Sequence, residues 1–227
     1  SQAAPGAAPG VGPQPPAGQD QVNTALEDLM SRLDYDLPPM QTLAGASDTR
    51  FNELMRQAES ELAASNYLAA EQFYRRAILE QPDRPLAQVG LIHAQLGAGM
   101  VRSAAFNLRR LFEEHPELIA ARYEAHLLPS ASRMQWIQGE LQRMMSGTMD
   151  SPADPALMLA YVGYQAGSRP LVRYGLATAQ ARSPRDPLLP LLRRIWLEES
   201  PGDQGASSED AAQPAQQPSS PPEADGK

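Results

Sequence analysis

Three histidines, His93, His115 and His126, are the only ring-nitrogen ligands in the chain, and no two stand three or four residues apart. A helix-borne metal site needs such a pair, or a His-Glu-x-x-His run, with a carboxylate to complete the shell. Neither pattern is present. His115, directly before Pro116, reads as an ordinary helix C-terminal residue favoured by the dipole there. General acid–base chemistry needs carboxylates that converge, whereas Glu113-Glu114 and Glu198-Glu199 are neighbours that point in different directions on a helix. Gly97 and Gly99 mark a turn, because no strand precedes them to make a phosphate loop. Cysteine is absent, which removes disulfides, thiolate nucleophiles and cysteine-held metals. The expectation is a non-enzymatic protein with no catalytic, metal or cofactor site.

Charge narrows the partners. The net charge is −8, and seven acids against Lys227 from Glu198 onward account for six of those charges, leaving the rest of the chain near −2. A nucleic-acid surface needs a basic face, so none is expected. Lys227 is the only lysine. Arg75-Arg76, Arg109-Arg110 and Arg193-Arg194 are the recurrent basic feature, read as solvated arginines paired with acids such as Glu71 and Glu113. No run of eighteen apolar residues exists to span a membrane. What remains is recognition of another protein, and that depends on how helices present their side chains.

The helices follow a period. Between Ala64 and Pro82, Ala70, Tyr74 and Ala77 share one helical face and Pro82 ends the helix. Thirty-four residues on, Ala104, Leu108, Leu111 and Pro116 hold those positions, and sixty-eight further on stand Val172, Leu176, Ala179 and Pro184. Ser65, Gly99 and Gly167 fall in phase at the turn inside each hairpin, where a helix C-terminus favours a small residue or one tolerant of positive φ. A small, large, small face lets a second helix approach closely at the small residues.

Over residues 50 to 186 these motifs resemble the tetratricopeptide repeat family, whose period is thirty-four and whose second helix carries Ala-x3-Phe/Tyr before a terminal Pro. The resemblance implies an all-α, right-handed α-solenoid of about four hairpins, with a leading helix, a closing helix and disordered tails. The first hairpin carries Leu54, Ala58 and Tyr67, and departs at Glu61, where a Tyr is usual; in the second, Ile92 takes a small position. Between Glu117 and Asp150 only the phase survives, since His126, Arg133 and Gln138 replace small or turn residues. That stretch is expected to be a degenerate hairpin with helices at about 117 to 128 and 131 to 146. The other helices are expected at about 50 to 64, 67 to 81, 85 to 97, 101 to 115, 155 to 166 and 169 to 182. Asp83, Asp154 and Asp186 precede helix starts at Pro85, Pro155 and Pro187, the last opening a closing helix from Leu188 to Glu199.

Stacked hairpins of this family line their first helices along a concave groove. By phase its walls are Met55, Arg56 and Glu59, with Asn52; Val89 and His93, with Leu86; Tyr123 and Leu127, with Glu124; and Leu157, Tyr161 and Tyr164, with Met158. An apolar, aromatic trough with scattered polar tips suits an extended peptide or helix of a partner. The phases at which related modules hold a carboxylate with Lys, Asn and Arg carry Met55, Glu59, Gly90 and Glu124 here, so that mode is not expected.

Residues 1 to 20, rich in Pro, Gly and Ala, read as a disordered arm, and residues 21 to 49 as a short amphipathic helix (Val22, Ala25, Leu26, Leu29, Leu33) and linker into an array at 50 to 199. That helix either caps the first hairpin or docks as a detachable peptide. Ser47 or Asp48 is the expected N-cap of the first array helix, and residues 200 to 227 read as a disordered acidic tail. The arm's composition, like that left after a cleaved export signal, weakly favours a periplasmic or exported protein over a cytoplasmic one. Two other roles stay open: a structural or self-assembling subunit of a cell-envelope complex, and a regulatory fragment of a larger enzyme.

Overall fold

The computed structural model describes residues 38–146 and 153–197. Among them are eight α-helices, two 3-10 turns and no strand beyond one isolated bridge. The helices are α1 (Arg50–Ala63), α2 (Tyr67–Glu80), α3 (Pro85–Ala98), α4 (Val101–Glu114), α5 (Ala131–Met145), α6 (Asp154–Gln165), α7 (Arg169–Arg182) and α8 (Leu188–Leu197). The arm, the amphipathic helix expected at Val22–Leu33 and the acidic tail lie outside the described residues.

Three hairpins, α1–α2, α3–α4 and α6–α7, repeat one backbone design. Each first helix ends on a left-handed residue, Ser65 (φ 63°), Gly99 (φ 83°) or Gly167 (φ 67°). At each end the next amide reaches back five residues: Asn66 N–H to the Glu61 carbonyl, Met100 to Gln95 and Ser168 to Gly163, all at 2.8 Å. This closes the orphan carbonyls of the helix end. Each second helix stops at the residue before a proline, since proline's ring pushes its predecessor out of helical space. Gln81, His115 and Ser183 accordingly sit at φ near −140°, −136° and −134°.

The faces expected to pack are buried in all three hairpins, from Ala70, Tyr74 and Ala77 to Val172, Leu176 and Ala179. Close approach is enforced by absent side chains. A Cβ on Gly90 would lie 2.1 Å from the Tyr74 ring, and one on Gly175 would lie 2.6 Å from the Ala160 nitrogen. Each large apolar side chain so enclosed contributes about 1.5–3 kcal/mol.

The third expected hairpin is corrected. Residues 116–130 form two 3-10 turns, Pro116–Leu118 and Ala125–Leu127, in place of a helix at 117 to 128, and α4 packs directly on α6. The number of stacked hairpins among the described residues is therefore three. The stretch between α4 and α6 leaves the stack: its second turn packs on α1, and α5 lies against α3 and α6. Ser130 and Arg133 anchor its start, the first to the Tyr67 hydroxyl and the second, through Nε, to the Gly97 carbonyl at 2.7 Å. The phase was right for α5, but Arg133, at the place of a turn glycine, bonds a neighbouring turn.

A cap ends the described fold. α8 buries Leu188, Leu189, Leu192, Ile195 and Trp196, as its amphipathic spacing requires.

Candidate functional site

The residues expected to line an open trough are mostly interior. Met55, Val89, His93, Tyr123, Leu127, Leu157 and Tyr161 are all buried, Glu59 and Tyr164 are half-buried, and Arg56 alone is exposed. The reason is that the first helices present an apolar face too wide to leave in water, and the chain covers it with two of its own segments. Tyr123 and Leu127, expected on a first helix, belong to one of the covering segments.

That segment, residues 119–128, is tied down by side chains from α6 and α8. Tyr164 donates its hydroxyl to the Ala120 carbonyl at 2.8 Å, and Gln165 Nε2 donates to the Ala121 carbonyl at 3.0 Å. Trp196 Nε1 donates to the Ile119 carbonyl at 2.8 Å. Trp196 also stacks on Tyr164 with ring centroids 5.1 Å apart and meets Phe112 edge-on at 5.9 Å. Irregular backbone inside a fold needs such partners, because each buried unpaired carbonyl would cost about 1–3 kcal/mol.

At the centre of this packing, His93 of α3 joins Tyr161 of α6 through Nε2 and the phenol oxygen, 2.6 Å apart, with the Tyr123 ring edge-on at 5.0 Å. Burial drives the His93 pKa down to about 4, partly opposed by the Leu127 backbone, and pushes the phenols of Tyr123 and Tyr161 up. The histidine is therefore neutral at pH 7. Its place in the packing is structural: it joins the second hairpin, the third hairpin and the covering segment.

The second covering segment is a strap before α1. Glu59 accepts the backbone N–H of Leu43 (2.5 Å) and of Ala44 (2.9 Å) and the Thr42 hydroxyl (3.0 Å). Asn52 accepts the Gly45 N–H at 2.8 Å and donates to the Ser47 carbonyl at 2.9 Å. Arg56 pairs with Asp48 at 3.4 Å. Thr49, rather than Ser47 or Asp48, caps α1, which frees Asp48 for that pairing. The polar residues expected to meet a peptide thus hold one, and it is the chain's own. On its other side Met40 exchanges backbone bonds with Arg122 (2.8 Å) and Glu124 (3.0 Å) of the first segment.

One cluster escaped the sequence reading. Arg109, expected in a solvated pair, reaches Asp154 at 2.5 Å and Asp186 at 2.6 Å, with Glu113 at 3.9 Å. Burial opposes its charge, but the bonds to the two aspartates outweigh this and hold its pKa above the usual value. The recurring Asp-Pro helix starts at α6 and α8 carried the signal, because both aspartates converge on α4 once α4 and α6 are neighbours. Two of the other arginines in those pairs bond locally, Arg75 with Glu71 and Arg110 with Glu114.

Among the described residues, no three His, Asp or Glu side chains gather as a metal cage, and no helix is long and apolar enough to cross a membrane. No family model, curated protein or solved structure matches the chain.

Proposed function

We propose that this chain is a non-enzymatic protein-binding module, an α-solenoid of tetratricopeptide-like hairpins that takes an extended peptide or a helix of another protein on the face of its first helices. The observation that carries the reading is the strap: Asn52 and Glu59, named by repeat phase as groove residues, grip a bent segment by its backbone amides. Main-chain bonds give a peptide groove its grip, and side-chain pockets give it specificity. The three identical turns and helix ends favour a repeat origin for the scaffold. Fold class alone does not name the partner, so the site carries the argument.

The test is capture by the full chain with residue-resolved cross-linking. Cross-links to the partner are expected at the strap and at Arg56, Glu59 and Tyr164. Cross-links confined to α2, α4 and α7 would sink the reading.

A second reading, a self-assembling structural subunit, has its own support. Leu68 and Leu79 of α2, Phe106 of α4 and Tyr174 of α7 are large side chains left exposed on the second helices. Light scattering of wild type and Phe106→Asp separates the two. A mass that rises with concentration and is lost in the variant favours assembly, and a constant mass equal to one chain favours the binding module.

A further inference from the structure

The strap has the features of a ligand more than those of a connecting loop. We infer that the face of α1 under residues 40–47 is a peptide site for a segment that bends at a leucine, with a hydroxyl residue before it and two small residues after it, and that Thr42-Leu43-Ala44-Gly45 is its resident occupant. This rests on the binding-module reading and names the ligand class of the same site.

Four observations carry it. Of this four-residue segment only Leu43 is buried, at 2% exposure, so one apolar pocket reads one side chain. The Thr42 hydroxyl contacts both oxygens of Glu59, 3.1 and 3.0 Å away, which selects a hydroxyl before the leucine. A Cβ on Gly45 would lie 3.0 Å from the Asn52 amide nitrogen, a tight contact that favours a small residue at the last position. Everything else is backbone: three successive N–H groups, of Leu43, Ala44 and Gly45, are taken by two side chains of one helix. The rim beyond is open, since Ala44 is half-buried and Gln41 exposed. Pro38 and Pro39 stiffen the chain before the strap, which lowers the ordering cost of the occupant.

An intramolecular ligand joined to α1 by four residues acts at an effective concentration on the order of millimolar, so an external peptide must compete with it. The experiment uses the full chain and a fluorescent peptide of residues 38–48. Binding is read by polarisation for wild type and for Leu43→Ala, whose strap has lost its anchor. Saturable binding is expected in Leu43→Ala, at least tenfold tighter than in wild type, and a peptide with alanine in place of its leucine should bind at least tenfold more weakly. Equal binding by wild type and variant, or indifference to the peptide's leucine, overturns the site.

Should Leu43→Ala lose helicity, Thr42→Val removes only an exposed hydroxyl and gives the same readout, with the same tenfold criterion. A mass twice that of one chain, with the peptide excluded, assigns the site to a second copy's strap and overturns the proposal. A failed peptide titration alongside intact partner cross-links at Tyr164 overturns this site and leaves the binding-module reading standing.

Discussion

Residues 85–114 and residues 116–146 follow one another, are of similar length and share the phase of the repeat, yet only the first stretch folds as a hairpin in the stack. The difference lies in small residues. In α3, Gly90 lets the Tyr74 ring rest on the backbone, and Gly99 closes the helix in the left-handed region. The equivalent positions in the second stretch are Glu124 and Arg133. A helix there would set a carboxylate at a crossing where α3 has Gly90 and α6 the buried, apolar Met158, and it would lack a residue at ease with positive φ. Proline phase decides where a helix ends; side-chain size decides whether its neighbour can approach. Released from the stack, the second stretch spends its apolar residues, Ile119, Tyr123, Leu127, Ile137 and Leu141, on covering the first helices.

Four measurements bear on that contrast. The largest effect is expected at Trp196, which fastens the covering segment to the cap. Trp196→Ala should lower the unfolding free energy by about 3–5 kcal/mol in urea titration, through lost packing and an unpaired Ile119 carbonyl. A loss under 1 kcal/mol would mean that the covering segment is loosely held.

Next comes pH. His93 titrates near 6.5 when unfolded and at about 4 when folded, so the unfolded state binds the extra proton first as pH falls. Stability should therefore drop by about 3 kcal/mol between pH 6.5 and 4 and gain no further loss from this group below that. His93→Gln should remove that part of the pH dependence while carboxylate effects remain in both proteins.

The third measurement compares two glycines in helices. A Cβ on Gly175 of α7 would meet Ala160 and Ala156 backbone atoms within 2.7 Å, whereas one on Gly139 of α5 would meet nothing within 4 Å. Gly175→Ala should cost about 1–3 kcal/mol by overpacking a stacked pair. Gly139→Ala should stabilise by about 0.5–1 kcal/mol, as for any open helix position. Equal effects would erase the distinction between stack and cover. The smallest effect belongs to the exposed Arg110 and Glu114 pair on the second hairpin, where Glu114→Ala should change stability by about 0.3 kcal/mol.

Much of the scaffold was legible before any coordinates. Ser65, Gly99 and Gly167 gave the turns, Pro82, Pro116 and Pro184 the helix ends, and Leu188 to Trp196 the closing helix, because each acts on backbone within a turn of itself. The site was legible only in part. Phase set Asn52, Arg56 and Glu59 on one face of α1 but did not show the strap they bond, because most of those bonds go to backbone amides. Tyr123 and Leu127 kept a four-residue spacing that mimics a helix face, and the tertiary partners that hold the backbone at 119–123 out of a helix, Gln165, Tyr164 and Trp196, lie more than forty residues away. Arg109 shows the same limit: its partners are close only if residues 115–146 step out of the stack.

Native-state hydrogen exchange on the full chain tests the central claim, that the chain fills the face of its own first helices. The amides of Leu43, Ala44 and Tyr123 should exchange far more slowly than free chain, with Leu43 and Ala44 slowed by Glu59 and Tyr123 by Gln165. Exchange of these three amides at the free-chain rate, with α3 and α6 still protected, would mean an open trough and would contradict the account.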